Sequence, residues 1–185
     1  MSGIDDAFQL YKEHIFDEKK LELLKVHNLK VTGSVPSVMW ELFGAILTGR
    51  SSTGVTGADL AGWEIKSAKM GASYEYQYHL NTGAHKLDED AQVNHLFCAY
   101  SETYTDVVVI AMQGQDLANY FDQWKLEYQQ NYDTSVPSTQ RRQRFRRSIP
   151  AGFVKSQGRL VMRIQNGALV ERNDTVINTL NRLAS

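Results

Sequence analysis

The sequence predicts an α/β fold, in which helices cover a central β-sheet, from three observations. Apolar residues recur at helical spacing in residues 4–25, 38–48 and 116–132, which predicts amphipathic helices. Two apolar runs, 95–101 and 106–112, are separated by a short polar turn and predict neighbouring strands, the second of them fully buried. A length of 185 residues with 42% hydrophobic residues fits one domain with a substantial core.

The composition narrows the class of protein. No run approaches the roughly 18–20 apolar residues of a membrane span, and the N-terminus lacks the basic and apolar regions of a signal peptide. The single cysteine, Cys98, lies in an apolar run and predicts a buried thiol, so a disulfide within the chain is excluded. We therefore expect a protein of the reducing cytoplasm with no membrane partner.

Residues 56–67 predict a β-hairpin around the two-residue turn Ala61-Gly62, because such turns need a positive φ that glycine supplies. Pairing outward from this turn places Asp59 opposite Glu64. Side chains alternate along a strand, so Lys66 shares the face of Glu64, while the apolar residues of that strand face the other way. The hairpin is thus expected to gather two acids and a lysine on one side.

Two carboxylates that face each other repel, and a divalent cation removes the repulsion. Mg²⁺ is held by one or two carboxylates together with waters and substrate phosphates, which predicts Asp59 and Glu64 as metal ligands. Lys66 could orient or help deprotonate an attacking water, or stabilise charge on phosphorus. Glu41, on the predicted helix 38–48, is a further candidate ligand, with a solvent-facing glutamate as the alternative. An ordinary hairpin with a charged outer face is the alternative for the whole cluster.

Residues 74–81 predict a strand with three tyrosines and a leucine on one face and polar side chains on the other. Glutamine and asparagine can pair bidentately with adenine, and histidine can donate to guanine in the major groove. We therefore expect the polar face to read DNA bases through Gln77, His79 and Asn81. A half-exposed strand with a polar outer surface is the alternative.

The net charge of −1 conceals an asymmetry. Residues 141–170 contain eight Lys or Arg and no acid, and the rest of the chain carries 12 basic and 21 acidic residues, which gives +8 against −9. Such segregation is typical of a surface that meets polyanions, with a solvated basic face as the alternative. The densest part predicts contacts with the DNA backbone by Arg141, Arg142, Arg144, Arg146 and Arg147.

Three further segments carry weaker expectations. Residues 82–94 are polar, and Asp88 to Asp90 are expected to form a solvated acidic loop. Residues 149–154 and 159–164 are expected to form a terminal hairpin. The tail from 165 to 185 is moderately helical near residues 176–183 and shows no recognisable chemistry.

These features together resemble the PD-(D/E)XK nucleases, and most closely the PvuII-type restriction endonucleases. The resemblance spans roughly residues 4 to 164 and rests on segments that match in order: the N-terminal helices and residues 61–67, 77–81, 121–125 and 149–154. Three departures stand beside it. No proline precedes Asp59, the spacing from Asp59 to Glu64 is short, and the histidine-rich base-contacting strand of the family is only partly kept.

The resemblance implies a restriction-endonuclease-like core with a mixed central sheet and a catalytic hairpin. Asp59 and Glu64 would bind Mg²⁺, Lys66 would be the catalytic lysine, and His79 would read bases with Gln77 and Asn81 as companions. The whole chain would be one nuclease domain, with a helical part at 1–35 that could contact a second copy, a core at 36–164 and an extension at 165–185.

The function implied is that of a type II restriction endonuclease, which hydrolyses double-stranded DNA and leaves 5′-phosphates. We expect a homodimer, because cutting both strands of a palindrome calls for two related sites. A cognate DNA methyltransferase is expected in the host, although not as a bound subunit. A nicking enzyme of the MutH type, a nuclease dependent on modified bases, and a non-catalytic DNA-binding module are the alternatives.

Overall fold

A five-stranded mixed β-sheet forms the centre of the computed structural model, which describes residues 3–29, 33–52, 57–79, 82–132, 135, 137, 139 and 144–183. The strands are β1 Trp63–Lys69, β2 Tyr74–His79, β3 Asn94–Tyr100, β4 Val107–Gln113, β5 Arg144–Ile149, β6 Arg159–Gln165 and β7 Ala168–Arg172. The helices are α1 Ile4–Leu10, α2 Glu18–Val26, α3 Ser37–Thr48, α4 Gly83–Asp90, α5 Ala118–Asn131, α6 Ala151–Gln157 and α7 Asp174–Leu183. This architecture confirms the predicted α/β class.

The sheet order is β1-β3-β4-β6-β7, with β1 parallel to β3 and the other neighbours antiparallel. Parallel strands need a crossover connection, and here it passes through β2 and α4. A separate antiparallel ribbon pairs β2 with β5. Because β1 lies at one edge of the sheet, its first residues remain accessible to the turn and the helix that build the site.

An apolar core covers each face of the sheet. The first core, which contains Trp63 and Ile65 of β1, packs against α1, α3 and α7. The second core contains Ala68 of β1, the three tyrosines of β2 and apolar residues of α4, α5 and α6. Alternation along β1 therefore directs Glu64 and Lys66 away from the first core and toward β2 and α4.

Several predicted elements are confirmed. The two apolar runs form β3 and β4, paired antiparallel, and the pattern at 116–132 forms a 3₁₀ turn at Gly114–Leu117 followed by α5. The N-terminal pattern forms α1, a π-helical turn at Tyr11–Ile15 and α2. No helix in the described part of the chain is long and apolar enough to cross a membrane.

The predicted terminal hairpin is wrong. Residues 149–154 end β5 and begin α6, while β6 pairs with β4 and β7. Pro150 precedes the helix with a φ of −63°, a value that its ring fixes and that suits a helix start. The buried Val154 then holds α6 against the second core.

The predicted solvated loop at 88–90 is also wrong, because these residues end helix α4. The helix forms because Leu87 is buried in the second core, and this contact outweighs the weak helical pattern of its polar neighbours. Asp90 is 0% exposed. An acidic residue expected in solvent is thus part of the interior.

The C-terminal segment packs into the same core as the rest of the chain. Ile177 and Leu180 of α7 belong to the first core. Asn181 accepts a hydrogen bond from the indole Nε1 of Trp63 at 3.0 Å and donates through Nδ2 to the carbonyl of Thr48 at 2.8 Å. This helix therefore supports β1 at the residue next to Glu64.

Candidate active site

The turn Ala61-Gly62 is confirmed, with a φ of 76° at Gly62 and a bridge between Leu60 and Trp63 whose two backbone hydrogen bonds both measure 3.0 Å. The predicted partner strand is wrong, because within residues 57–60 only Leu60 forms a strand bridge. The backbone N–H of Ile65 instead donates to Oδ2 of Asp59 at 2.8 Å. The Asp59 side chain thus accepts the hydrogen bond that a backbone carbonyl of a second strand would have accepted.

Asp59 and Glu64 are nevertheless brought together. The backbone N–H of Asp59 donates to Oε2 of Glu64 at 3.3 Å. Glu64 is 1% exposed, so its charge must be satisfied inside the protein. Oε1 accepts a hydrogen bond from Nζ of Lys66 at 2.6 Å, so the three predicted catalytic residues form one cluster.

A second lysine, which sequence reasoning missed, joins this cluster from α4. Nζ of Lys86 donates to Oε2 of Glu64 at 3.0 Å, to Oδ1 of Asp90 at 3.2 Å and to the carbonyl of Gly57 at 3.1 Å. The other oxygen of Asp90, Oδ2, accepts a hydrogen bond from the hydroxyl of Tyr78 at 2.8 Å. The spacing of four residues between Lys86 and Asp90 is the one signal in the sequence, since it matches an ion pair on a helix.

Buried side chains of β2 and β3 hold the cluster in place through hydrogen bonds. The ammonium of Lys66 lies 4.7 Å from the ring centre of Tyr76, a cation–π distance. The Tyr76 hydroxyl is 2.8 Å from Nδ1 of His95, and Nε2 of His95 is 2.7 Å from the carbonyl of Asp90. A carbonyl only accepts, so Nε2 carries the proton and Nδ1 accepts from Tyr76. Burial lowers the pKa of His95 to about 4, which keeps the ring neutral.

The electrostatics separate the two predicted metal ligands. Burial, and next the charge of Glu64, raise the pKa of Asp59 to about 6. Burial also opposes ionisation of Glu64, but the ammonium groups of Lys66 and Lys86 hold its pKa below the usual value. Burial and the charge of Glu64 raise the pKa of Asp90 to about 6. Glu64 therefore ionises at a lower pH than Asp59 or Asp90.

The donor set fits a hard divalent cation. Asp59 has no cationic partner within ion-pair distance among the described residues, and an additional carboxylate oxygen, Oε2 of Glu89, is buried against Gly57 without a hydrogen-bond partner. The described residues contain no group of three His, Cys, Asp or Glu side chains able to hold a metal by themselves. Mg²⁺ needs only one or two carboxylates, with waters and phosphates completing its shell.

Glu41 lies on α3, partly exposed. In the described part of the chain, the hydrogen bonds and ion pairs of Glu64 and Lys66 go to other residues than Glu41. The predicted role of Glu41 as a metal ligand therefore has no support from the contacts of the described cluster.

Two of the predicted base-reading residues, Gln77 and His79, lie on the outer face of the β2–β5 ribbon. Gln77 pairs with Arg146 and His79 with Arg144 across the two strands. Nε of Arg146 donates to Oε1 of Gln77 at 3.1 Å, and the Gln77 amide lies 3.1 Å from Nε2 of His79. The tyrosines of β2 face the second core, which confirms the predicted alternation. Asn81 lies outside the described residues.

The predicted arginine cluster does not lie on one face of the ribbon. Arg144 and Arg146 are exposed on the outer face of the ribbon. Arg147 points to the opposite face, where it pairs with Glu127 of α5 and lies 4.1 Å from the ring centre of Phe145. Its position ties the ribbon to α5. Two further predicted backbone contacts lie outside the described residues: Arg141 and Arg142.

Comparison with known proteins adds no identification. No protein-family model and no curated protein matches this chain.

Proposed function

We propose that the chain is a Mg²⁺-dependent endonuclease of the type II restriction class, with a restriction-endonuclease-like core, that hydrolyses double-stranded DNA. The observation that carries the proposal is the cluster at the start of β1. There, an ionised Glu64 is hydrogen-bonded to Lys66 and lies beside Asp59, which lacks a cationic partner among the described residues. Carboxylates able to hold a divalent cation next to a lysine are groups suited to metal-assisted phosphodiester hydrolysis.

Each residue of the cluster has a distinct role in this proposal. Asp59 and Glu64 would hold the ion, with Glu41 as a further candidate. Mg²⁺, when bound, supplies a lower pKa for water and neutralises charge on the phosphate. Lys66 is fixed by Glu64 and by the ring of Tyr76, so its ammonium can orient the attacking water or stabilise charge at phosphorus. In-line attack by water would break the bond from phosphorus to the 3′ oxygen and leave a 5′-phosphate.

The β2–β5 ribbon supports DNA as the substrate. The major groove admits a two-stranded antiparallel ribbon. The outer face of this ribbon combines amide, imidazole and guanidinium groups in adjacent register positions. We propose that Gln77 and His79, with Asn81, contact base edges. Arg144 and Arg146 would contact phosphates, together with Arg141 and Arg142.

The proposal includes a second copy of the chain. Cutting both strands of a palindromic site requires two related active sites, which a homodimer provides. A host that carries such an enzyme needs a cognate DNA methyltransferase to protect its own DNA, and we expect it to be a separate protein.

The test is digestion of unmethylated and methylated plasmid and phage DNA by the wild-type protein, in Mg²⁺ and in a chelator. We expect discrete, Mg²⁺-dependent fragments whose ends carry 5′-phosphates and share one sequence. Nicked circles alone would replace this proposal with a MutH-type nicking enzyme, and cutting of methylated DNA alone with a modified-base nuclease. Salt-sensitive binding without cleavage on any of these substrates would make the protein a DNA-binding module and the cluster a structural ion-pair network.

A further inference from the structure

Lys86 places its ammonium among oxygen acceptors within the candidate site. Three oxygens of different origin surround its ammonium at 3.0–3.2 Å: Oε2 of Glu64, Oδ1 of Asp90 and the carbonyl of Gly57. Two carboxylates and a backbone carbonyl are also the ligands that a hard divalent cation prefers. Here the ammonium of Lys86 supplies the positive charge.

The surroundings of Lys86 hold it in place. Both oxygens of Asp90 are used, one by Lys86 and the other by the Tyr78 hydroxyl, and Asp90 is fully buried. Lys86 and Asp90 lie one turn apart on α4, so the helix itself fixes their distance. The side chain of Lys86 is 24% exposed, which leaves it little freedom to leave the cluster.

Three carboxylates are hydrogen-bonded within the cluster, and the two lysines neutralise two of them. Asp59, Glu64 and Asp90 contribute three negative charges when ionised, and Lys66 and Lys86 contribute two positive charges. The remaining negative charge lies at Asp59, the carboxylate without an ion-pair partner among the described residues. One divalent ion together with one substrate phosphate would bring this group close to neutrality.

We propose that the Lys86 ammonium takes the place of a second divalent cation beside Glu64, so that the site binds one metal ion per chain. The proposal rests on the nuclease function proposed above. Two-metal phosphodiesterase sites use a second ion, about 3.5–4 Å from the first, to stabilise the leaving oxygen. In this chain, Lys86, which is fixed on Glu64, would supply that second positive charge.

The test counts the Mn²⁺ ions bound per chain by electron paramagnetic resonance, which detects the free ion, without DNA or turnover. Wild type and Lys86→Arg should each bind one ion, because both keep a side-chain cation. Lys86→Ala leaves Glu64, Asp90 and the Gly57 carbonyl as ligands and should bind two. Asp59→Asn should lose the ion that wild type binds.

Two ions per wild-type chain, or one ion in both wild type and Lys86→Ala, would overturn the inference and leave the nuclease proposal standing. No ion in wild type would overturn both. Lys86→Ala buries uncompensated carboxylates, so its thermal midpoint is measured with and without Mn²⁺. We expect Mn²⁺ to raise this midpoint more than that of wild type, since a ligand that binds only the folded state stabilises it. A variant that remains unfolded in millimolar Mn²⁺ would contradict the inference.

Discussion

At Glu64, burial and ion pairing act in opposite directions. Burial disfavours a charged carboxylate, whereas Lys66 and Lys86, both hydrogen-bonded to it, favour the charge and keep its pKa low. Asp59 lacks such a partner among the described residues, and its pKa rises to about 6. Two adjacent carboxylates therefore differ in the pH at which each becomes able to bind a cation.

Metal affinity should depend on pH through Asp59. Because its folded pKa of about 6 lies above the ordinary value, the folded protein retains a proton there that a metal ion must displace. The Kd for Mn²⁺ should be constant well above pH 6 and weaken by roughly tenfold for each unit below it. Calorimetric titration across this range measures the slope, and Asp59→Asn should show no binding in the same titrations. A Kd that strengthens toward low pH would contradict the assignment.

The raised pKa of Asp59 also makes the free energy of unfolding of the metal-free protein depend on pH. In the metal-free protein, the folded state binds the Asp59 proton more tightly than the unfolded state does. This contribution to the free energy of unfolding is present at low pH and is lost as pH rises through about 6. With saturating Mn²⁺, the free energy of unfolding should no longer fall as the pH rises through about 6.

The Tyr76 hydroxyl and ring have separable roles. Tyr76→Phe removes the donor to Nδ1 of the fully buried His95 and keeps the ring beneath Lys66. An unsatisfied buried acceptor should lower the free energy of unfolding by about 1–3 kcal/mol, measured by urea denaturation. Cleavage should persist, because the ring remains. Tyr76→Leu removes the ring as well and should lower both stability and cleavage; equal cleavage by Leu and Phe variants would contradict the role of the ring.

At the scale of elements, α4 contributes Lys86 and Asp90 to the site, whereas β1 contributes Glu64 and Lys66. Its start fits tightly against its neighbours: a Cβ on Gly83 would lie 2.7 Å from Cε2 of Tyr128 and 2.9 Å from Cβ of Tyr78. Close approach of α4 to β2 therefore requires glycine at this position. The same approach places Lys86 within reach of Glu64.

Gly83→Ala should destabilise the protein even though alanine favours helices. Overpacking against Tyr128 and Tyr78 should cost about 1–3 kcal/mol in the free energy of unfolding. The matched control is Gly152→Ala in α6, where a Cβ meets nothing within 4 Å. That change should stabilise by about 0.4–1 kcal/mol. Urea denaturation measures both, and a stabilising Gly83→Ala would contradict the packing described for α4.

The β2–β5 ribbon predicts different effects for its arginines. Arg144→Ala and Arg146→Ala should weaken DNA binding, and each should reduce the slope of log K against log salt by about 0.9. Arg147 faces inward and pairs with Glu127, so Arg147→Ala should leave the slope unchanged and lower stability instead. Fluorescence anisotropy at several salt concentrations measures the slope. A reduced slope for Arg147→Ala alone would contradict the assignment of faces.

At the scale of the whole molecule, residues near one another in sequence were predictable and distant ones were not. Asp59, Glu64 and Lys66 lie within eight positions around one turn. Strand alternation groups Glu64 with Lys66, and the turn returns Asp59 beside them without the predicted partner strand. Lys86 reaches Glu64 across 22 positions, and the intervening α4 has too few apolar residues for its pattern to stand out. Its helical state depends on the burial of Leu87, a tertiary contact.

The contacts of the C-terminal segment escape prediction for the same reason, because they join residues far apart in the sequence. Asn181 contacts Trp63 across 118 positions, and no local pattern indicates that pairing. The pattern around Pro150 favours a strand, although proline suits a helix start equally well. In contrast, the two apolar runs are confirmed as strands, because short apolar runs bounded by polar turns favour buried strands.

The central claim is that phosphodiester hydrolysis takes place at the start of β1, and the most direct measurement compares two lysine substitutions on that strand. Single-turnover DNA cleavage in Mg²⁺ is measured for wild type, Lys66→Ala and Lys69→Ala. Lys69 ends β1, is exposed and pairs with Glu102, so its removal changes the net charge equally without touching the cluster. We expect Lys66→Ala to lose roughly 10²–10⁴-fold in rate and Lys69→Ala to cleave as wild type does. Equal rates for the two variants, or no cleavage by wild type on any DNA, would contradict the claim.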